Sequence, residues 1–307
     1  MTDRLIDLAE SPVTVRVRGR LLTIETEGRT PLSIPPSELG AVAIAPQATL
    51  SGAALACRAE HNVSLVIPDN RRMPIAMLLP LAGNYVQAER FRKQAMASLP
   101  TRKRLWKQIV VAKVLNQAKV LERIRGTDFG LRELARQVRS GDSTNIEGQA
   151  ARRYWPHVFN IPEFRRDPDN PDGINRRLNY GYAILRGIVS RAICAAGLHP
   201  SLGLHHHNRY NPFCLADDLI EPLRPLVDYH IALHADESTL EDGRLGPEQK
   251  REIIEPLTGK FRFGNTRRTI FDIAARMATS LVKVFEGRAE KLSIPELWGR
   301  ETEVGEK

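Results

Sequence analysis

The sequence has few cysteines and no long apolar run, and both absences narrow the class of protein. Its 307 residues include only Cys57, Cys194 and Cys214, and none belongs to a C-x-x-C pair. Cysteines this few and this widely spaced are typical of reduced thiols in the cytosol. No stretch of about 18 uncharged apolar residues is present, so no segment is predicted to span a membrane. The opening residues MTDRLIDLAES do not look like a secretory signal, and we expect a cytoplasmic protein.

Acidic residues are nearly missing from one long segment. The chain has a formal net charge of +9, and residues 87–125 contain 11 Lys or Arg side chains against only Glu89 and Glu122. A solvated helix face usually mixes both signs of charge. A concentrated positive segment instead predicts contact with a polyanion, and nucleic acid is the partner that we favour.

The first eighty or so residues predict a small β-rich domain. Residues 13–18 alternate apolar and polar side chains with the period of a half-buried strand. Gly19 and Arg20 then predict a tight turn into a second strand over 21–26. Ser51 is a plausible cap for a single helix. The remaining predicted elements are strands over 32–34, 41–44, 63–67 and 75–79 and a helix over 53–60.

From about residue 87 the period becomes helical. Gly126 and Gly197 mark the ends of two long helices. The predicted helices cover 102–125, 129–138, 175–196, 216–234, 247–255 and 269–286. The fold class is therefore α+β. A small N-terminal β-rich, β-sandwich-like domain over 1–82 precedes a larger all-α domain over 83–307.

Residues 203–225, GLHHHNRYNPFCLADDLIEPLRP, hold the main cluster of metal-ligand side chains. Three histidines, 205–207, precede a predicted helix. On that helix Asp218 and Glu221 are spaced i, i+3, so both carboxylates lie on one face. An imidazole beside paired carboxylates is a ligand mix that suits Mg²⁺ or Mn²⁺. A solvated acidic helix face is the alternative.

A second acidic element lies in residues 140–155, SGDSTNIEGQAARRYW. Asp142 or Ser143 can cap a helix there, which places Glu147 near its first turn. An acid at that position is also favoured by the helix dipole alone. By itself Glu147 therefore indicates no chemistry.

Together, these stretches closely resemble a known family. The sequence EGQAARRYW starts at Glu147, GLHH at Gly203, and LADDLIEPLRP at Leu215. Three separated motifs with this order and spacing are similar to the CRISPR-associated integrase family, CRISPR-associated protein one. The resemblance covers the whole chain, and its motifs look most like those of members from type II systems, which work beside an RNA-guided nuclease.

The resemblance implies a catalytic site that binds a divalent metal, Mg²⁺ or Mn²⁺. Carried onto this sequence, the ligands are Glu147, His206 and Glu221. The family histidine lies three residues after the motif glycine, here Gly203, which selects His206. His205 and His207 stay open as alternatives, and Asp218 matches a further acidic position that supports the site.

The resemblance also implies the reaction and the partners. The protein would insert short foreign DNA fragments into a repeat array by strand transfer, and would cleave DNA at the same site. Its partners would be the double-stranded DNA of fragment and repeat, a second copy paired through the β domain, and a small second CRISPR-associated protein. Two homodimers and a dimer of that small protein would form a heterohexamer. The type II RNA-guided nuclease is a further expected partner.

Basic side chains are expected to bind the DNA backbones. Lys103 and Lys107 share a face of the predicted helix, and Lys113 and Lys119 would extend the same positive strip. The full predicted set is Lys103, Arg104, Lys107, Arg152 and Arg153.

Two other functions are compatible with these motifs. A stand-alone metal nuclease acting on branched DNA in repair would need the same ligands. A non-catalytic DNA-binding scaffold would need only the basic side chains, with the His and acid motifs serving the fold. A zinc hydrolase is disfavoured because the sequence has no HExxH motif.

Overall fold

A computed structural model describes most of the chain. It covers residues 4–8, 12–44, 47–61, 63–68, 74–78, 84–159, 161, 164–169, 173–235, 245–263 and 266–297. Within these ranges, no helix combines the length and the apolar composition needed to cross a bilayer.

The N-terminal part is rich in strands, as predicted. Its elements are β1 (Arg4–Leu8), β2 (Val13–Arg18), β3 (Leu21–Thr26), β4 (Leu32–Ile34), β5 (Leu39–Ile44), β6 (Thr49–Leu50), α1 (Gly52–Glu60), β7 (Ser64–Pro68) and β8 (Pro74–Leu78). The predicted β2–β3 hairpin is confirmed, with positive φ at Gly19 and Arg20 as a tight two-residue hairpin turn requires. The strands β1 and β6 were not predicted, and Leu79, the last residue of a predicted strand, lies outside the described residues.

Two four-stranded sheets share one apolar core. Their strand orders are β4-β3-β2-β6 and β1-β5-β7-β8. Val15 and Ile24 of the first sheet belong to the same buried cluster as Val42 and Leu65 of the second, and Ala54 of α1 joins them. The β-sandwich-like character predicted from the alternating pattern is therefore present.

The C-terminal part is mostly helical and has its own, larger core. Its helices are α2 (Gln87–Ala95), α3 (Leu99–Arg125), α4 (Leu131–Arg136), α5 (Ile146–Val158), α6 (Gly173–Ala195), α7 (Cys214–Ile220), α8 (Arg224–His234), α9 (Pro247–Leu257) and α10 (Ile270–Phe285). An antiparallel hairpin of β9 (Lys260–Phe263) and β10 (Thr266–Thr269) interrupts the helices, where the sequence predicted an all-α domain. Each strand has only four residues, and β10 (TRRT) contains no apolar residue, so the period-two signal is confined to the four residues of β9 (KFRF).

Helix α3 is the element on which the site is built. Ser98 caps its start by accepting a hydrogen bond from the Thr101 amide, and the left-handed Gly126 ends it. It packs against α4, α5 and α8, and residues such as Trp106 and Val114 are buried along its length. It begins at Leu99, three residues before the predicted start, because Pro100 is tolerated in the first turn.

Two predicted helices differ in the structure. The helix predicted over 216–234 is divided into α7 and α8 by a 3₁₀ turn, Glu221–Leu223. Pro222 lies inside that turn, and its carbonyl accepts a hydrogen bond from Asn116 Nδ2 of α3 at 2.8 Å. The helix predicted over 129–138 covers only 131–136, and it starts late because Phe129 and Gly130 have positive φ.

Candidate active site

Glu147 is fixed in the first turn of α5 by two polar caps. The carboxylate of Asp142 accepts hydrogen bonds from the amides of Ile146 (2.8 Å) and Glu147 (3.0 Å). Asn145 is the N-cap residue, and its side chain accepts from the amide of Gly148 at 3.1 Å. The N-cap residue is therefore Asn145 and not the predicted Asp142 or Ser143, although Asp142 accepts from two amides of the first turn.

Glu221 lies in the 3₁₀ turn between α7 and α8, with only 4% of its side chain exposed. Its Oε1 atom is 3.0 Å from a guanidinium nitrogen of Arg224. Burial acts to raise the pKa of Glu221, but the charges of Arg224 and Lys113 outweigh it and hold that pKa below its usual value. Glu221 is therefore a buried carboxylate anion.

Lys113 of α3 brings the two glutamates together. Its Nζ atom lies 2.6 Å from Glu147 Oε1 and 2.5 Å from Glu221 Oε2. The two carboxylates, from separate elements, are thus within two hydrogen-bond lengths of each other. Burial acts to lower the pKa of Lys113, but the charges of Glu221 and Glu147 raise it by more than burial lowers it. The net shift of the pKa is therefore upward, and the ammonium form persists.

His206 is oriented by the fully buried Asp218. Asp218 Oδ1 lies 2.7 Å from His206 Nδ1 and accepts the His206 amide at 3.1 Å. Its other oxygen accepts the amides of Leu204 (2.5 Å) and His205 (3.1 Å). The hydrogen bond to Asp218 raises the pKa of His206 against the effect of burial, and the charge of Glu221 adds to it. Asp218 therefore shapes the loop and leaves the Nε2 atom of His206 available.

The other two histidines have different surroundings. His205 stacks on the buried ring of Trp106 with centroids 4.3 Å apart and an interplanar angle of 4°. His207 is exposed, and its Nδ1 atom lies 2.6 Å from the backbone oxygen of His205. Of the three, only His206 bonds to the acidic motif through its ring, among the contacts that the structure describes.

A buried hydrogen-bonded cluster around Asp228 lies next to Arg224, the partner of Glu221. Asp228 accepts the hydroxyl groups of Tyr154 (3.0 Å) and Tyr182 (2.5 Å). The guanidinium of Arg224 lies over the Tyr182 ring, 4.6 Å from its centroid. Burial raises the pKa of Asp228 to about 6 despite these donors. Neither Asp228 nor Lys113 was singled out for a role at the site, because a lone acid or lysine on an apolar helix carries no local signal.

The described residues do not contain a group of three or more His, Cys, Asp or Glu side chains placed to hold a metal ion. The structure brings Glu147 and Glu221 to one point, with Lys113 between them. It also leaves Glu221 Oε2 buried without an aligned hydrogen bond, although the ammonium of Lys113 is in ionic contact with that oxygen.

The predicted DNA-binding side chains lie on α3 and α5, the helices that carry Lys113 and Glu147. Lys103, Arg104, Lys107, Arg152 and Arg153 are all exposed. A groove of about 720 Å³ beside them is lined by Lys107, Arg136 and Arg139 together with polar residues that include Gln149 of α5. The predicted extension of the strip through Lys113 and Lys119 is wrong, because these side chains are only 14% and 15% exposed and contact acidic partners.

Solved structures first define the class of fold. The model has a TM-score of 0.77 with a casposase bound to integration product, at 22% identity, covering 97% of this chain and 95% of that one. It has a TM-score of 0.74 with a Cas1 protein from Thermotoga maritima, at 17% identity, covering 97% of this chain and all of the other. At these identities the likeness shows a shared Cas1 and casposase fold.

Sequence comparison then gives the family. Residues 8–249 match the family model of "CRISPR associated protein Cas1". A CRISPR-associated endonuclease Cas1 from Neisseria meningitidis is 36% identical over 288 residues, 92% of each chain. Another from Saccharolobus solfataricus is 29% identical over 236 residues, 74% of this chain and 73% of the relative. The chain belongs to the Cas1 family of CRISPR-associated endonucleases, and the family resemblance found in the three motifs is confirmed.

Proposed function

We propose that Glu147, His206 and Glu221 bind one divalent cation, Mg²⁺ or Mn²⁺, and that this site joins and cuts DNA during CRISPR adaptation. The observation that carries the proposal is the meeting of Glu147 and Glu221 at a single ammonium group, Lys113 Nζ. Two carboxylates from separate elements share one cation there, next to a histidine that a buried carboxylate orients.

The residues present fit a divalent ion. Glu221 Oε2 is buried and has no aligned hydrogen bond, so it can serve as an oxygen ligand once the Lys113 ammonium has moved away from it. His206 uses Nδ1 toward Asp218, so Nε2 is the ring nitrogen that can bind a metal ion after it has lost its proton. A carboxylate behind a ligating histidine is the usual outer partner of such sites. Two carboxylate oxygens and one imidazole nitrogen suit Mg²⁺ or Mn²⁺.

The reaction exchanges one phosphodiester for another. The 3′ hydroxyl of the fragment loses its proton and forms a new P–O bond, while the P–O3′ bond of the repeat breaks and the leaving oxygen takes up a proton. When bound, the cation would polarise the attacked phosphoryl group and stabilise the leaving oxygen. Within the chain, Asp218 keeps the His206 ring in place, and Arg224 keeps Glu221 ionised. Cleavage would use water in place of the hydroxyl.

The DNA backbones would follow the exposed basic side chains of α3 and α5. Lys107, Arg136 and Arg139 line the groove that runs to α5, the helix of Glu147. The exposed Arg152 and Arg153 lie farther along the same helix. Neutralisation of phosphates by such side chains supplies affinity for any DNA sequence. Arg136 and Arg139 were missed because they lie outside the segment where acidic residues are scarce.

The proposed assembly has two kinds of protein partner. A second copy would pair through the β-rich domain, which we place at 1–82, ahead of the catalytic domain at 83–307. A small second CRISPR-associated protein would join two such homodimers in a heterohexamer. Solved neighbours with this fold include Cas6-RT-Cas1–Cas2 complexes and a TtCas1–DNA complex, which supports the small second protein and DNA as partners. The proposal that an RNA-guided nuclease is a further partner rests on the similarity of the motifs to those of type II members.

The test is strand transfer by purified protein with the small partner, a short duplex fragment and a repeat-containing plasmid. With Mn²⁺ present, the wild type should join fragment to repeat, and chelation should stop it. Glu147→Ala and Glu221→Ala should abolish joining and leave DNA binding intact. Glu89→Ala is the matched control, since Glu89 is exposed and forms an ion pair with Lys93, four residues further along α2.

Each rival function has its own outcome in this assay. Cleavage of the plasmid or of branched DNA without any joining would indicate a hydrolytic nuclease. DNA binding with no reaction and no response to metal would indicate a scaffold. Wild-type joining by Glu147→Ala or Glu221→Ala would show that the altered residue is not a ligand.

A further inference from the structure

Lys113 occupies the position between the two proposed carboxylate ligands and has no part in the proposed reaction. Its Nζ atom contacts Glu147 Oε1 and Glu221 Oε2 at 2.6 and 2.5 Å, and its side chain is 14% exposed. The lysine is held on the long helix α3, whose turns before and after it are buried at Val110 and Gln117. Helix α3 itself is therefore fixed in the core, and the ammonium group can leave the carboxylates only by a movement of the Lys113 side chain.

The charges at this point balance without a metal ion. Glu147 and Glu221 face the cations Lys113 and Arg224. A divalent ion held by the same two carboxylates would place two further positive charges within a few ångströms of the ammonium. In a mostly buried setting such like-charge repulsion is strong, because little water screens it. Glu221 Oε2 also cannot bond the ion while the ammonium remains against it.

We propose that Lys113 is a positioning residue that holds Glu147 and Glu221 together in the metal-free protein and must leave them when a divalent ion binds. This inference rests on the proposed metal site. The displaced ammonium stays beside the site on α3, where a DNA phosphate is the anion that can pair with it. Metal and DNA therefore bind cooperatively, each strengthening the other.

The test is Mn²⁺ binding to the full chain without DNA, measured by electron paramagnetic resonance of the free ion. Lys113→Met keeps an unbranched stem and removes the competing charge. It should bind Mn²⁺ more tightly than the wild type, by about tenfold or more, since a unit charge a few ångströms from a divalent ion is removed. Lys119→Met is the control, because Lys119 lies on the same helix, is 15% exposed and contacts Glu296.

The outcomes separate this inference from the proposed function. Equal or weaker Mn²⁺ binding by Lys113→Met, with normal binding by the wild type, would overturn the role of Lys113 and leave the metal site standing. No Mn²⁺ binding by either protein would overturn the metal site itself. Tighter binding by Lys113→Met and an unchanged Lys119→Met would support both.

A measurement on the wild type covers the case in which Lys113→Met does not fold. Amine acetylation followed by mass spectrometry reports how accessible each lysine is. Saturating Mn²⁺ should increase labelling of Lys113, because the ion displaces its ammonium from Glu147 and Glu221, and should leave Lys119 unchanged. Labelling of Lys113 that does not rise with Mn²⁺ would contradict the proposal.

Discussion

The Nδ1 atom of His206 lies 2.7 Å from the Oδ1 atom of Asp218, a side chain with no exposed surface. This contact decides which ring nitrogen of His206 faces the site, because the Nδ1 atom is already engaged. Asp218 binds three backbone amides as well, so one buried carboxylate sets both the path of the loop and the orientation of the ring. Both oxygens of this carboxylate are thus engaged in hydrogen bonds within the chain.

Replacement of Asp218 by Asn should disorder the His206 loop. Charged hydrogen bonds are removed from a buried place, so the free energy of unfolding should fall by about 2–4 kcal/mol, measured by chemical denaturation. Strand transfer should be abolished. Asp217→Asn is the comparison variant, since Asp217 accepts from Arg186 and Asn211 and, among the described residues, makes no hydrogen bond to residues 204–206. Normal activity in Asp218→Asn would contradict the assignment.

The effect of Asp218→Asn on the free energy of unfolding should depend on pH. The hydrogen bond to Asp218 raises the pKa of His206 above its ordinary value. Its contribution to stability is therefore fully present below the unfolded-state pKa and is lost as the pH rises through the folded-state pKa. The stability difference between wild type and Asp218→Asn should be larger at about pH 5 than at about pH 8. A difference that grows toward high pH would have the wrong sign.

Gly203 should tolerate no side chain. A Cβ atom there would overlap the backbone oxygen of His206 and lie 3.0 Å from Asp218 Oδ2. Gly203→Ala should therefore displace the loop and reduce strand transfer, with a loss of stability of about 1–3 kcal/mol. Gly52→Ala is the control because nothing lies within 4 Å of a Cβ atom at Gly52, in the first turn of α1. Equal activity of the two variants would show that the loop adapts.

Asp228 should make stability depend on pH in the opposite way to an ion-paired acid. Burial raises its pKa to about 6 from 3.8, so the folded protein gains a proton that the unfolded chain does not bind. The cost of burying the carboxylate is present above this range and disappears as the pH falls through it. In chemical denaturation, the free energy of unfolding of the wild type should rise on the order of 3 kcal/mol relative to that of Asp228→Asn as the pH falls from neutral to ~4. A constant difference would show that Asp228 is ionised throughout.

The exposed basic residues of α3 should govern DNA affinity without sequence preference. Replacing Lys103, Arg104 and Lys107 by Ala should weaken binding to every duplex alike. The plot of log affinity against log salt should become shallower by about 0.7 to 0.9 for each DNA phosphate that the variant no longer neutralises. Binding is measured by fluorescence anisotropy over a range of salt.

A control for that experiment removes the same charge elsewhere. Arg16, Arg18 and Arg20 are exposed on the β2–β3 hairpin, so their replacement by Ala changes the net charge equally. This variant should keep its affinity and its salt slope. Equal effects of the two triple variants would mean that net charge, and not a localised surface, determines binding. An unchanged slope in the α3 variant, with the fold intact by circular dichroism, would show that its charges only solvate a helix.

Local patterns predicted much of the fold. Strand alternation in 13–26 and the glycine at the end of α3 were sufficient, because each depends on residues close in sequence. The break between α7 and α8 was not predicted, since it depends on Asn116 holding the carbonyl of Pro222 from another helix. The strands β1 and β6 pair with partners far along the chain, and each is short.

The site was predictable only in part. Its acidic and histidine motifs stand out by resemblance, and the structure places Glu147 and Glu221 together. Lys113 was assigned to an exposed strip, because its spacing on the helix cannot reveal that two carboxylates from distant segments reach it. Asp228 gave no signal for the same reason, as its tyrosine partners lie on α5 and α6.

The most direct test of the proposed metal site is a crystal of the protein soaked in Mn²⁺ and measured at the manganese absorption edge. We predict one anomalous peak between Glu147, His206 and Glu221, with metal–oxygen distances of about 2.0–2.6 Å. The ammonium of Lys113 should have moved away from both carboxylates. A peak elsewhere, or no peak at a concentration that supports strand transfer, would contradict the site.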